Sequence, residues 1–535
     1  MSKYISLCGK YGINRNVMAP FKTPQDIIND MDRLGIWQTI VEYPRACNTL
    51  YTNENLLQEI KKVDNYKERI IPSFVVDLYS VLRADALAKI VKMIKENKPC
   101  CVTLQPKNFT QIFSSIEHIA EKLSKEISVF FIDYDQFSSE NDWATLVRVA
   151  NRFSKNKFVV RQFTSGGVPP MFDSMLRADN IYAEMGVFHN RAEIKAFADL
   201  FGIERVLFSA GPYSVGGANM AAITYADISE EDKDKVRYKN FISLFNDEAD
   251  RKTLTENTRE IPNKVKNSLW TDFVEGKGVK DVEIYDIHTH IAPSGLTWMQ
   301  NYNFEDFISS FEKDMERFNI KKYVSAPTDR FDIKELNCDT EAAMQGREDK
   351  FLGYVRFTPH FAENFTEEYF DALLAGKYFV GLKALPHYLQ VKITDERYTP
   401  MFAYADKHSL PILLHTWGGT FGSPKKCAEA TKKWPNAKVI FGHTGGNEIG
   451  IAESLQIAKQ GIPENVWFET CGSFPAFSKR WSELLKTIDY KKVLYGTDAP
   501  VHEIAWELGR LLSDDIEDEK LIAILGGNAK KLFNF

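Results

Sequence analysis

The chain has 535 residues, 44% apolar and 26% charged, with a formal net charge of −6. That length exceeds what one core supports, so two domains are expected, and the acidic balance argues against a nucleic-acid partner. No run of eighteen apolar residues occurs, so no membrane span is expected, and the opening "MSKYISLCGKYGINRN" lacks the pattern of an export leader. Seven scattered cysteines, with Cys100 and Cys101 adjacent in an apolar run, read as buried thiols rather than a disulfide framework. A reducing cytoplasm is the expected setting.

Along the chain, short runs rich in Val, Ile, Phe and Tyr alternate with longer segments of helical period. The first half has eight such runs: 3–9, 38–44, 69–76, 100–106, 128–134, 157–164, 180–186 and 205–211. A polar stretch follows, and then eight more: 282–290, 321–327, 351–357, 378–385, 410–416, 438–444, 465–471 and 492–498. Near-continuous apolar strands alternating with helices indicate parallel sheets covered on both faces, and eight units in about 250 residues match a (β/α)8 barrel. Two tandem α/β barrels are therefore expected: 1–264, a linker at 265–280, and 281–535. Landmarks recur at an offset of roughly 280 residues. Pro106 answers Pro386, Glu184 answers Glu469, Gly211 answers Asp498, and "LTENTREI" (254–261) is matched to "LGGNAKKL" (525–532). The repeat reads as internal duplication.

Catalytic groups of such barrels lie at the C-terminal ends of the strands. In the second half the first strand ends in His288 and His290, the fifth in His415, the sixth in His443 and the eighth in Asp498. Side chains two apart on a strand share a face, so His288 and His290 are expected to point together into the barrel mouth. Several imidazoles and a carboxylate converging there suit a divalent zinc, manganese or iron ion. The corresponding positions of the first half are Cys8 and Lys10, Ile132 or Asp133, Gln162 or Thr164, and Gly211. None of these restores the set, so the first barrel reads as a degenerate copy without a metal site.

The motifs "DIHTH", "LLHTW", "VIFGHTGG", "LYGTDAP" and "LGGNAKKLF" resemble the amidohydrolase-related family of the amidohydrolase superfamily, over 282–535. The resemblance implies one divalent ion, with zinc preferred, held by His288, His290, His415 and Asp498, and an active-site His443 beside it. A metal-bound water has its pKa brought down to about 7. Asp498 would act as general base, and His443 would hydrogen-bond the substrate or leaving group. The favoured outcome is hydrolysis of a small lactone, ester or amide. The alternative is nonoxidative decarboxylation of a small unsaturated or aromatic acid, because the family includes aminocarboxymuconate-semialdehyde and aromatic-acid decarboxylases. The short segment between His415 and His443 leans toward hydrolysis. A ligand-binding protein without turnover is a third reading.

Arg356 and Trp417 are candidates for substrate binding, as a carboxylate fork and an apolar wall. His387 and His502 follow strands closely enough to line the pocket. Lys383 is either a carboxylated lysine bridging two metals, as in some superfamily members, or a barrel-interior cation near the pocket. Asp286 reads as a helper carboxylate or a buried hydrogen-bond acceptor. Family members often form homodimers, so the two barrels are expected to imitate a dimer within one chain, with further homo-oligomerisation open.

Overall fold

The computed structural model describes residues 2–12, 21–43, 49–107, 112–162, 168–186, 189–211, 215–291, 303–326, 333–472 and 480–535. Thr164 lies outside them. The chain divides into two compact units, one of residues 1–188 and 192–265, the other of residues 189–191 and 266–535. Among the described residues, no helix is long and apolar enough to cross a membrane. The stretch 265–280, expected to be a linker, carries a helix at Ser268–Val274 that buries Trp270 and Phe273 and belongs to the second unit.

The first unit is an eight-stranded parallel sheet in sequential order: β1 (Ile5–Lys10), β2 (Gln38–Glu42), β3 (Ile70–Val76), β4 (Cys101–Leu104), β5 (Val129–Asp133), β6 (Lys157–Arg161), β7 (Ile181–Glu184) and β8 (Val206–Leu207). Leu7 N–H donates to Phe208 O at 3.3 Å and brings β8 back to β1. The second unit repeats this with β9 (Ile284–Thr289), β10 (Ile320–Ser325), β11 (Phe351–Arg356), β12 (Phe379–Ala384), β13 (Pro411–His415), β14 (Lys438–Gly442), β15 (Val466–Glu469) and β16 (Val493–Leu494). Here Ile287 N–H donates to Tyr495 O at 3.1 Å. Strands buried on both faces explain the near-continuous apolar runs that announce them in the sequence.

Duplication is written into the backbone hydrogen bonds. Phe158 N–H donates to Asn180 O, as Val439 N–H does to Asn465 O, and Met185 N–H to Leu207 O, as Thr470 N–H does to Leu494 O. Both first strands carry the same bulge. Three steps from Ser6 to Gly9 face two steps of β2, and three from Asp286 to Thr289 face two of β10. The extra residue re-aims the strand end. Ile287 can therefore pack in the inner apolar cluster while His288, the next residue, also turns to the mouth.

The chain-end alignment needs correction. Asn240 Nδ2 donates to Ile203 O and Val206 O, and Asn528 Nδ2 donates to Tyr490 O and Val493 O. Each follows a π-helical turn, Lys235–Lys239 or Ala523–Gly527. The partner of "LGGNAKKL" is therefore the segment around Asn240, not 254–261. The buried asparagine that ties the last strand to the helix it opens is Asn240.

The first barrel's mouth is filled by a closed ion network. Lys10 Nζ lies 2.5 Å from Asp133 Oδ2 and 3.4 Å from Glu42 Oε1. Arg161, fully buried, pairs with Glu42 at 2.9 Å and Asp133 at 2.8 Å, and Thr103 Oγ1 donates to Glu42 Oε2. Two cations meet two carboxylates. Burial opposes ionisation of Asp133, but Arg161 and Lys10 outweigh it and bring its carboxyl down to about 2. Because that carboxyl is depressed, its stabilising share is full above the unfolded value near 3.8 and is lost as pH falls toward 2. Asp133→Asn is expected to cost on the order of 3–5 kcal/mol at pH 7 by leaving Lys10 and Arg161 to share the single carboxylate of Glu42. Chemical unfolding of both proteins should show the gap narrowing between pH 4 and 2; a pH-independent gap would contradict the ion network.

Candidate metal centre

The mouth of the second barrel gathers imidazoles instead of ion pairs. His288 and His290, at the bulged end of β9, have ring centroids 5.2 Å apart; His443 lies 4.9 Å from His288 and 4.7 Å from His415. Asp498 Oδ1 is 2.8 Å from His290 Nε2 and 3.4 Å from His288 Nε2. Two donors each about 2.1 Å from one ion sit roughly 3.0–3.4 Å apart, and the two separations from Asp498 lie at or near that range. His415 Nδ1 is 3.0 Å from His443 Nε2, and its Nε2 is buried with no hydrogen-bond partner among the described residues. An orphaned buried imidazole nitrogen beside such a set fits a metal ligand.

Backbone strain accompanies the site. His443 and Asp498 both hold left-handed backbone, at φ 62° and 64°. Their counterparts, Gln162 at φ 58° and Gly211 at φ 69°, do the same. Only one of these four positions has a glycine to relieve it. Non-glycine residues held there cluster at functional sites.

A second grouping of donor atoms is also compact: His288, His443, Cys471 and Asp498 offer one atom each, all within 4.8 Å of one another. The two nitrogens of His288 decide between the sets. Nδ1 faces Glu469 Oε2 at 3.2 Å and Cys471 Sγ at 3.3 Å, while Nε2 faces Asp498. Cys471 therefore lies behind His288, away from the face shared with His290 and Asp498. Burial and the neighbouring Glu469 push its thiol well above the usual range.

Electrostatics follow from burial. Burial holds His288, His415 and His443 below the ordinary imidazole range, so they are neutral and able to ligate. Burial opposes the charge on Asp498, but His290, hydrogen-bonded to it, outweighs that and the carboxyl lies well below its usual value. Lys383 is fully buried, and its Nζ sits 2.8 Å from His288 Nε2. Burial brings its ammonium down to about 8.

The remaining candidates surround this set. Arg356 is paired in register with Lys383 on the adjacent strand. Trp417 lies parallel to His415, 6.0 Å between centroids, in a seat that exists because Gly446 has no side chain: a Cβ there would lie 2.0 Å from Trp417 Cε3. The His387 ring is 6.2 Å from His415, and its Nδ1 has no hydrogen-bond partner among the described residues. His502 Nδ1 is 2.7 Å from Glu507 Oε1, and Glu507 also pairs with Arg510. Asp286 takes the acceptor role: it receives His288 N–H, Thr497 N–H and Thr497 Oγ1–H. Glu469, Cys471 and Glu507 were not singled out as site residues from the sequence. Glu469 stood there only as an alignment landmark, and its strand-end position was the signal that could have found it.

A sequence model of the amidohydrolase family matches residues 285–535. A search of curated proteins finds no match. Among solved structures, the chain is similar to 2,6-dihydroxybenzoate decarboxylase from Rhizobium at 15% identity, covering 47% of this chain and 99% of that one, with a TM-score of 0.38. It is similar to 5-carboxyvanillate decarboxylase from Sphingomonas paucimobilis at 12% identity, covering 48% and 99%, with a TM-score of 0.37. It is also similar to 4-oxalomesaconate hydratase from Rhodopseudomonas palustris at 16% identity, covering 47% and 95%, with a TM-score of 0.37. The second barrel, residues 285–535, is the part of this chain that matches the amidohydrolase family.

Proposed function

We propose that the second barrel is a metal-dependent decarboxylase that removes carbon dioxide from a small unsaturated or aromatic carboxylic acid. The observation that carries this reading is the buried cation Lys383. Among the described residues no carboxylate pairs with it, and it stands beside the histidine–aspartate set with Arg356 in register on the next strand. Buried cations at the mouth favour a substrate that brings its own carboxylate. A neutral lactone or amide would leave Asp498 as the main negative charge facing Lys383.

His288, His290, His415 and Asp498 are the residues that would hold the divalent ion, whose contribution is Lewis acidity toward substrate oxygens. Lys383 and Arg356 orient the carboxylate, and Trp417 walls a planar ring. The carbon–carbon bond breaks, carbon dioxide leaves, and the electron pair left on carbon takes a proton. That proton comes from solvent, and Asp498, hydrogen-bonded to His290, is placed to relay it. The second reading, hydrolysis, is favoured by Asp498 being held ionised, as a general base requires.

Three outcomes are expected. Elemental mass spectrometry of protein purified without chelator should find about one divalent ion per chain, reduced in Asp498→Ala. A panel of aromatic and unsaturated acids should release carbon dioxide; a new acid group from a lactone or amide panel instead would establish hydrolysis. Arg356→Met should raise KM for the acid roughly 10- to 100-fold with a smaller change in kcat.

A further inference from the structure

Glu469 ends β15 fully buried, and its two oxygens reach three groups. Oε2 accepts His443 N–H at 2.8 Å and lies 3.2 Å from His288 Nδ1, while Oε1 accepts Cys471 N–H at 2.5 Å. The backbone is tied to the same turn: Thr444 Oγ1 donates to Glu469 O, and Glu469 N–H donates to Thr444 Oγ1. Gly496 on the neighbouring segment makes room, since a Cβ there would lie 2.5 Å from Glu469 Oε1 and 2.8 Å from His288 Cβ.

The first barrel holds the same clamp without the histidines. Glu184 Oε2 accepts Gln162 N–H at 2.9 Å and Gly186 N–H at 3.0 Å, and Gln162 has the same left-handed backbone as His443. Where His288 stands, the first barrel has Cys8, 3.3 Å from Gln162 Nε2. The duplicated chain thus separates two jobs of one carboxylate. Holding the turn after the sixth strand is common to both barrels. Facing an imidazole occurs only in the second.

We propose that Glu469 is a positioning residue of the candidate metal centre. It fixes the tautomer of His288, with the proton on Nδ1 directed at the carboxylate and the Nε2 lone pair turned to the face shared with Asp498 and His290. A carboxylate behind a ligating histidine sets ring orientation and raises ligand basicity, and its loss typically costs 10- to 100-fold in metal affinity. The proposal rests on the metal-centre reading above.

Glu184→Gln in the same chain is the internal control. Apo full-length protein carrying Glu469→Gln or Glu184→Gln is titrated with Co2+ by calorimetry and visible absorption, and unfolded chemically. Both substitutions are expected to lower stability. Only Glu469→Gln should weaken Co2+ binding, roughly 10- to 100-fold, and alter the absorption band. Equal losses of stability with unchanged Co2+ affinity in both would overturn the proposal and leave Glu469 a turn clamp. If Glu469→Gln does not fold, 15N-histidine spectra of the wild-type apoprotein decide: a His288 proton on Nδ1 supports the proposal, and one on Nε2 overturns it. Wild-type protein that binds no Co2+ would bring down the metal-centre reading itself, visible before any substitution is made.

Discussion

Burying a charge in the mouth of a closed barrel costs several kcal/mol unless a partner meets it. Each half of this chain answers that constraint differently. In the first, Lys10 and Arg161 close on Glu42 and Asp133, and the account balances internally. In the second, burial keeps His288, His415 and His443 neutral while Asp498 stays ionised near Lys383, which among the described residues has no ion pair with a carboxylate. The charges of the first mouth meet one another, whereas the second gathers imidazoles around one ionised carboxylate.

Both mouths stand on the same strained backbone. Left-handed residues follow the sixth and eighth strands of each barrel, and a buried glutamate at the end of the seventh holds the first of them. Such conformations persist only when their surroundings over-determine them. The scaffold therefore holds its geometry independently of the side chains it presents. One copy can exchange imidazoles for Cys8, Lys10 and Gln162 without losing the fold.

The sixteen strands were legible because parallel strands covered on both faces must be apolar almost throughout, and the runs ending at Lys10, Arg161, Thr289 and His415 say so in one dimension. The histidines and Asp498 were legible because strand ends mark the mouth. Other features were not. The bulge that turns both Ile287 and His288 to useful faces breaks the simple alternation on which the sequence argument rested. The pairing of Asn240 with Asn528 is a matter of which carbonyls each amide reaches, and composition misdirected it to 254–261.

The sequence by itself determined the two barrels and the identity of the groups at each strand end, since periodicity and position along a strand are local properties. Tertiary structure alone decided which nitrogen of His288 faces Asp498 and which faces Glu469. It alone decided that Lys10 meets two carboxylates while Lys383 meets His288, and that Cys471 lies behind the donor set. These depend on distances between strands far apart in the chain, and a few tenths of an ångström there separate a ligand face from a supporting one.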